Sequence, residues 1–470
     1  MRRARPVSAR CSPAQLSSRD FPRFSPASRK ARDRTLVSAP TSILRHNRNF
    51  RLLFLGQAVS QLGDWFNSVA VFALLLDLTG SATAVAWMMI VQFLPMAIVG
   101  PIAGVVVDRV DRRRLMIVTD ILRGVLVLGL LLVRTQERVW LAYVVMALTV
   151  TGSAFFEPAR TATIPNVTSK EELIPANALS SATWAAMLAV GASIGGLVTA
   201  LAGRDFAFVI NSVSFFVSAW FISRTTYDSE PTRKPPVSGW AAVIGVSDLI
   251  EGLSYVRKHA HVSALMFVKA GWGLAGGVLL LLSIFGQRIF PVGGSTAAGI
   301  GVLYGARGIG AGLGPLALRV LLGQTPTTMR RTIGPAYFIV GLFYVGLAVA
   351  GTLPVAALCV LLAHFGGAIL WVFSTILLQM EVPDQYRGRV FAAELALVTL
   401  TSSISSYITA YALDGLQWSP RALSLWLGVA FSVPGVLWVV MNARWKASAT
   451  LEPVSTAPSA QEDMLEGRVG

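Results

Sequence analysis

One acid, Asp64, stands about thirteen residues into an otherwise apolar run that starts near residue 52. At 1.5 Å per residue that is about 18 Å deep, close to the middle of a hydrocarbon layer roughly 30 Å thick. A carboxylate held there is costly, so it can exchange a proton or meet a cationic group of a ligand. A fixed pair with a neighbour, or a local bend at Gly63, would instead use it for packing alone. Arg307, in the Gly-rich stretch GARGIGAGLGP, is placed to pair with Asp64 or to hold an anionic ligand group, whereas Arg123 reads as structural. His364, midway along another apolar run, could shuttle protons or simply satisfy a carbonyl. Gln92 offers hydrogen bonds to a cavity, as do Gln57 and Asn211. Asp64, Arg307, His364 and Gln92 are therefore the candidate proton-coupling and central-cavity residues, with Phe66, Trp87, Phe93 and Trp371 as candidate apolar lining.

Other chemistries lack their residues. No carboxylate pair or His/Cys constellation sits at a common depth, no phosphate-cradling Walker loop occurs, and Cys11 and Cys359 fit neither a disulfide framework nor a metal site. No enzyme, cofactor or metal is expected.

The elements that must hold these residues are membrane helices. Of 470 residues, 54% are hydrophobic and 14% charged, well short of the roughly 25% charged in an ordinary soluble domain. Gly, Pro and charged punctuation divides the chain into twelve spans, near 52–78, 84–107, 115–134, 139–158, 174–202, 206–223, 263–288, 297–321, 332–351, 354–380, 390–413 and 421–442. GPIA at 100–103 returns as GPLA at 314–317, an offset of 214 that also registers five span starts to within about three residues. The expected organisation is a basic tail (1–48) that reads as disordered, a six-helix half (49–224), a linker (225–262), a second six-helix half (263–443) and a C-terminal tail (444–470). Within the linker, Trp240, Ile244, Leu249, Leu253 and Val256 recur at mostly helical spacing, which predicts an amphipathic helix at the membrane surface.

Charge fixes the expected orientation. Placing both termini in the cytoplasm puts 32 Lys and Arg on that side and five on the other, so the net charge of +16 is largely a topology signal and implies no nucleic-acid partner. Lys269 and Glu394 then fall near cytoplasmic span ends, where they are expected to be solvated or paired.

Between spans 2 and 3 lies GVVVDRVDRRR, residues 104–114. With twelve spans in two repeated halves, this loop resembles that of the major facilitator superfamily of secondary transporters, whose signature places Gly104, Asp108, Arg109, Arg112 and Arg113; Asp111 stands where the broad signature prefers Gly. QAVSQLGDWFNSVAVFALLLDLTGSATAVA, FFEPARTATIPNVTSKEELIPANAL, EGLSYVRKHAHV and VPDQYRGRVFA are similar to the branch of macrolide-efflux proteins and the enterobactin exporter. The resemblance implies an all-α membrane protein of the major facilitator fold in the cell (inner) membrane, working by alternating access and exporting an amphipathic drug, macrolide or siderophore against protons, with the small molecule, protons and the lipid bilayer as its partners and a monomer as the favoured state. Lysolipid or metabolite carriage on the same fold, and a polytopic sensor or scaffold, are the alternatives. It further implies a conformational latch in which Asp108 meets the start of span 11, including Arg389, and Arg112 reaches Glu157 at the end of span 4. Span 5, VGASIGGLVTALAG, lacks the Gly-Pro signature of related proton-coupled exporters, but its small residues still permit close helix packing. The offset maps Asp108 to Leu322, so such a latch would be asymmetric.

Overall fold

The computed structural model describes residues 42–107, 109–169, 172–226, 246–322 and 325–451. Most of the basic N-terminal tail, Asp108, Trp240 and Ile244 of the linker and most of the C-terminal tail lie outside the described residues; the end of the N-terminal tail, expected to be disordered, forms a short helix at Ile43–His46 with Ile43 buried. Among the described residues, twelve long helices follow one another: α1 (Arg48–Thr79), α2 (Ala82–Val107), α3 (Arg112–Leu132), α4 (Val139–Val167), α5 (Leu173–Ala202), α6 (Arg204–Ser223), α7 (Ala260–Ile289), α8 (Thr296–Leu322), α9 (Pro326–Val349), α10 (Leu353–Glu381), α11 (Asp384–Asp414) and α12 (Pro420–Ala443). Eleven of the twelve are long and apolar enough to cross a membrane; α8, at 27 residues, is also long enough. Adding 214 to the first residues of α2, α3 and α4 lands on the first residues of α8, α9 and α10. The protein is an all-α, multi-pass membrane protein.

Local chemistry explains where the helices depart from the expected spans. Span 4 continues nine residues past its expected end, through Pro158 and Pro165, to Val167. Proline is tolerated inside a packed membrane helix because neighbouring groups and local adjustment take up the freed backbone carbonyls, here those of Ala154 and Thr161. Span 9 starts six residues early because Thr325 caps the Thr328 N–H at 3.2 Å and Pro326 occupies the first turn, a signal that hydropathy discounts in favour of Arg330 and Arg331. In the linker a helix spans Val246–Lys258, and Tyr255 stacks on Tyr386 of α11 with ring centroids 4.5 Å apart.

Two ends can be distinguished: a basic end, where α1 and α3 begin and the linker helix lies, and a far end, at the α1–α2 turn. The halves meet along α5 with α8 and α2 with α11. Gly196 and Gly301 make the first contact possible: a Cβ on Gly196 would lie 2.7 Å from the Ala297 carbonyl and 2.8 Å from the Gly301 Cα. The described contacts between halves crowd the far end. Asp414, closing α11, accepts hydrogen bonds from the Ser81 hydroxyl (2.7 Å), the Thr83 hydroxyl (2.8 Å) and the backbone N–H groups of Ala82 (3.2 Å) and Thr83 (2.8 Å). These are the otherwise unpaired first donors of α2, so the C-terminal half caps a helix of the N-terminal half. Nearby, Arg288 donates to the Gly80 carbonyl at 2.6 Å, Thr296 to Asp77 at 3.2 Å, and Trp87 meets Tyr407 edge-on.

Candidate functional site: a charged cavity in the N-terminal half

A cavity of about 570 Å³ opens in the half of the bundle nearer the basic end. Its described lining comes from α1 (Gln57, Ser60, Gln61, Asp64, Trp65, Ser68), Met96 of α2, Arg123 of α3, a stretch of α4 from Ser153 to Ile164, and Asn177, Ser180 and Trp184 of α5. Asp64 thus faces a space large enough for an organic molecule, and its side chain is 40% exposed.

The partner of Asp64 is Arg123, not Arg307. Arg123 donates to Asp64 Oδ2 at 3.0 Å and, through its other terminal nitrogen, to Asp120 Oδ1 at 3.2 Å. Its guanidinium lies 4.0 Å from the centroid of the Phe215 ring and 5.7 Å from that of Phe156, so its plane is held by aromatic faces as well as by charge. α1 packs mainly against α5 and α6 rather than α3, and the length of the arginine side chain closes the gap. Gly152 of α4 makes room for that stem, since a Cβ there would lie 2.8 Å from Arg123 Cγ. Asp120, which sequence reading passed over, is fully enclosed. Its signal was present: an acid three residues before a basic residue within one apolar span, the spacing that puts both on one helix face.

A second charged group lines the same wall. Arg160 is bonded twice to Glu157 Oε2, at 2.8 and 3.2 Å, and to Gln57 Oε1 at 2.9 Å. Arg160 is the cation paired with Glu157, and Arg112, the partner expected for Glu157, donates to the Ala162 carbonyl at 3.1 Å.

The remaining expected cavity residues lie elsewhere. Arg307 sits over Trp65 and Tyr304, 5.8 and 5.6 Å from their ring centroids, spanning the contact between halves. His364 is buried within the C-terminal half, 2.9 Å from the Tyr344 hydroxyl and edge-on to Trp272. The amide nitrogen of Gln92 is buried and makes no hydrogen bond among the described residues. Of the expected aromatic lining, Phe66 is buried, Trp87 meets Tyr407, Trp371 lies over Lys269, and Phe93 is not among the lining residues. Trp65 and Trp184, 6.2 Å apart and edge-on, supply the aromatic wall in their place. Hydropathy fixes depth but not which side of a helix turns inward, and these substitutions are all errors of azimuth.

The loop signature divides into separate tasks. Asp111, at the position where the broad signature prefers Gly, caps α3 by accepting from the Arg114 N–H at 3.0 Å. Arg113 donates to the Ile222 and Ser223 carbonyls and so closes the end of α6. Arg109 is exposed, and a Cβ on Gly104 would meet nothing within 4 Å. Arg389 lies at the start of α11, while its expected partner Asp108 is outside the described residues. Lys269 and Glu394 form a buried pair at 2.8 Å, with the lysine 4.6 Å from the centroid of the Trp371 ring.

Comparison with known proteins identifies the relatives of this arrangement. Residues 38–413 match the family model described as transmembrane secretion effector. An uncharacterized MFS-type transporter of Bacillus subtilis, YfiS, is 27% identical over 85% of this chain and 93% of its own. The putative bacilysin exporter BacE of the same organism is 28% identical, covering 76% of this chain and 87% of its own. Macrolide efflux protein A of Streptococcus pyogenes is 23% identical over 78% and 89%. Among solved structures, a peptide transporter POT superposes with a TM-score of 0.69 at 13% identity, over 85% of this chain and 95% of that one, and speaks for the fold alone.

Proposed function

The chain belongs to the transmembrane secretion effector family of major facilitator transporters, and we propose that it exports an amphipathic organic molecule in exchange for protons, by alternating access. The cavity carries this reading. Its size falls within the roughly 300–1,000 Å³ of small-molecule sites, and one wall combines the indoles of Trp65 and Trp184 with the carboxylates of Asp64 and Glu157. Such a wall suits a ligand with an apolar body and a polar or cationic group. The names of two relatives, a putative bacilysin exporter and a macrolide efflux protein, support outward movement of a small organic molecule.

Orientation follows from charge. The excess of Lys and Arg assigns the basic end, both termini and the open side of the cavity to the cytoplasm of the cell membrane, the side from which an exporter loads. Contacts from Asp414, Arg288 and the α5–α8 seam keep the far end closed in this state. Rocking of the halves would break those contacts and close the basic end, where Asp108, Arg109, Arg112 and Arg389 serve the outward-facing state. The chemistry needs no cofactor and no covalent step: Asp64 accepts a proton in one state and releases it in the other.

The test is transport in proteoliposomes under an imposed pH gradient, with macrolide, tetracycline, dipeptide, siderophore and lysolipid substrates offered in turn. Asp64→Asn is expected to reduce pH-driven transport to background with normal protein abundance, because Arg123 keeps Asp120 as a partner. Full pH-driven transport by that variant would sink the coupling role.

A further inference from the structure

Arg123 is one cation held between two carboxylates that differ in access. Asp64 opens onto the cavity, whereas Asp120 is sealed from it by the guanidinium and by the contact of α3 with α6. We propose that Asp120 is the buried counter-ion of Arg123 and that its charge sets the proton affinity of Asp64, making it a positioning residue for coupling; this rests on the proton-coupled reading above.

Charge counting gives the reason. With both acids ionised, the trio Asp64–Arg123–Asp120 carries one net negative charge. A proton on Asp64 brings it to zero and leaves Arg123 fully paired with Asp120 at 3.2 Å, so neutralising Asp64 strands no cation in the membrane. Without the Asp120 charge the arithmetic inverts: the pair Asp64–Arg123 is neutral as it stands, and protonating Asp64 would leave a guanidinium among the Phe156 and Phe215 rings without a counter-ion. The second oxygen of Asp120 and the Ser218 hydroxyl of α6 are both buried without a hydrogen-bond partner among the described residues, so the Asp120 carboxylate is engaged there by Arg123.

The other charges that face Asp64 do not substitute for it. On α4, Glu157 lines the same cavity as Asp64, but its own cation is Arg160 at 2.8 Å, and among the described residues it forms no ion pair with Arg123. From α8, Arg307 approaches the neighbouring Trp65 ring and adds a positive charge. The described lining from α2 and α5 (Met96, Asn177, Ser180, Trp184) has no titratable group, and α6 places Asn211, Ser214 and Ser218 against α1. Asp120 is thus the acid joined to Asp64 through a shared cation.

The experiment titrates the full-length protein directly, with the proton as the probe. Infrared difference spectra recorded against pH in wild type and Asp64→Asn assign the carboxyl band of Asp64, and the band is then followed in Asp120→Asn. Its midpoint is expected to move about 1–2 pH units lower in Asp120→Asn and to stay near wild type in Asp120→Glu, which keeps the charge. If Asp120→Asn does not accumulate, Asp120→Ser supplies the uncharged comparison and should again lower the midpoint. An Asp64 band whose midpoint ignores the charge at position 120 overturns this inference alone. Absence of any titrating Asp64 band in wild type overturns the coupling role of Asp64 and this inference with it.

Discussion

The two halves use one helical frame and treat buried charge in opposite ways. In the N-terminal half, Asp64, Glu157, Arg123 and Arg160 line a cavity with Asp120 sealed behind Arg123, three acids against two bases, and the carboxylates of Asp64 and Glu157 are partly open to the space. In the C-terminal half, Lys269 and Glu394 are matched one to one, 5% and 3% exposed, and closed over by Trp371 and Phe391. The 214-residue offset makes the contrast concrete: Arg123 corresponds to Tyr337, which donates to the Val268 carbonyl, and Asp64 corresponds to Val278. One half carries a charge that can be exchanged. The Lys269–Glu394 pair of the other is already spent on holding helices together.

The largest test of that contrast is removal of one charge from each half. Lys269→Met leaves Glu394 buried without its cation and is expected to cost about 3–5 kcal/mol of stability. Adding Glu394→Leu should restore most of it, since an apolar pair of similar volume replaces the ions. Asp64→Asn should cost far less, because its side chain is partly solvated and Arg123 keeps a second carboxylate. Thermal unfolding of the purified variants in one detergent measures both. Equal losses in Lys269→Met and Asp64→Asn would erase the distinction between a structural and an exchangeable pair.

How much of this was legible in the sequence depends on which coordinate is asked for. Depth was legible: Asp64 stood out as an acid within an apolar run, and the span starts fixed its level in the bundle. The repeat was legible because two independent halves fold on one template. Facing was not. Arg307 was favoured over Arg123 as partner of Asp64, although both lay at suitable depth, because nothing local says that Arg123 reaches toward α1 between α4 and α6. Asp120 does carry a local signal, since its spacing of three from Arg123 puts both on one helix face. Long-range polar contacts such as Asp414 to Ser81, 333 positions apart, have no local signal at all.

A middle-sized test addresses His364, a proton-shuttle candidate by sequence that the structure buries against Tyr344. If the C-terminal half is purely structural, Tyr344→Phe removes one side of a buried hydrogen bond and costs about 1–3 kcal/mol. The pH dependence of transport should be unchanged in that variant and in His364→Gln. A shifted pH profile in His364→Gln with normal stability would return exchangeable charge to the second half and break the comparison.

The smallest expected effect lies where the halves grip each other. Asp414 belongs to the C-terminal half, yet its carboxylate caps α2 of the N-terminal half, so its hydrogen bonds exist only while the far end is closed. Asp414→Asn keeps one acceptor oxygen and loses the charge, and a capping interaction of this kind is worth about 0.5–2 kcal/mol. Alternating access turns that energy into population: a bias of about 1 kcal/mol moves a two-state equilibrium roughly fivefold toward the form open at the far end. Spin labels at Leu201 and Val349, exposed positions at the far ends of opposite halves, report the change as growth of a longer-distance population. Protein stability should barely respond, because neither half loses an internal contact. An unchanged distance distribution would show that Gly196, Gly301 and the α5–α8 seam hold the far end closed without help from the charge on α11.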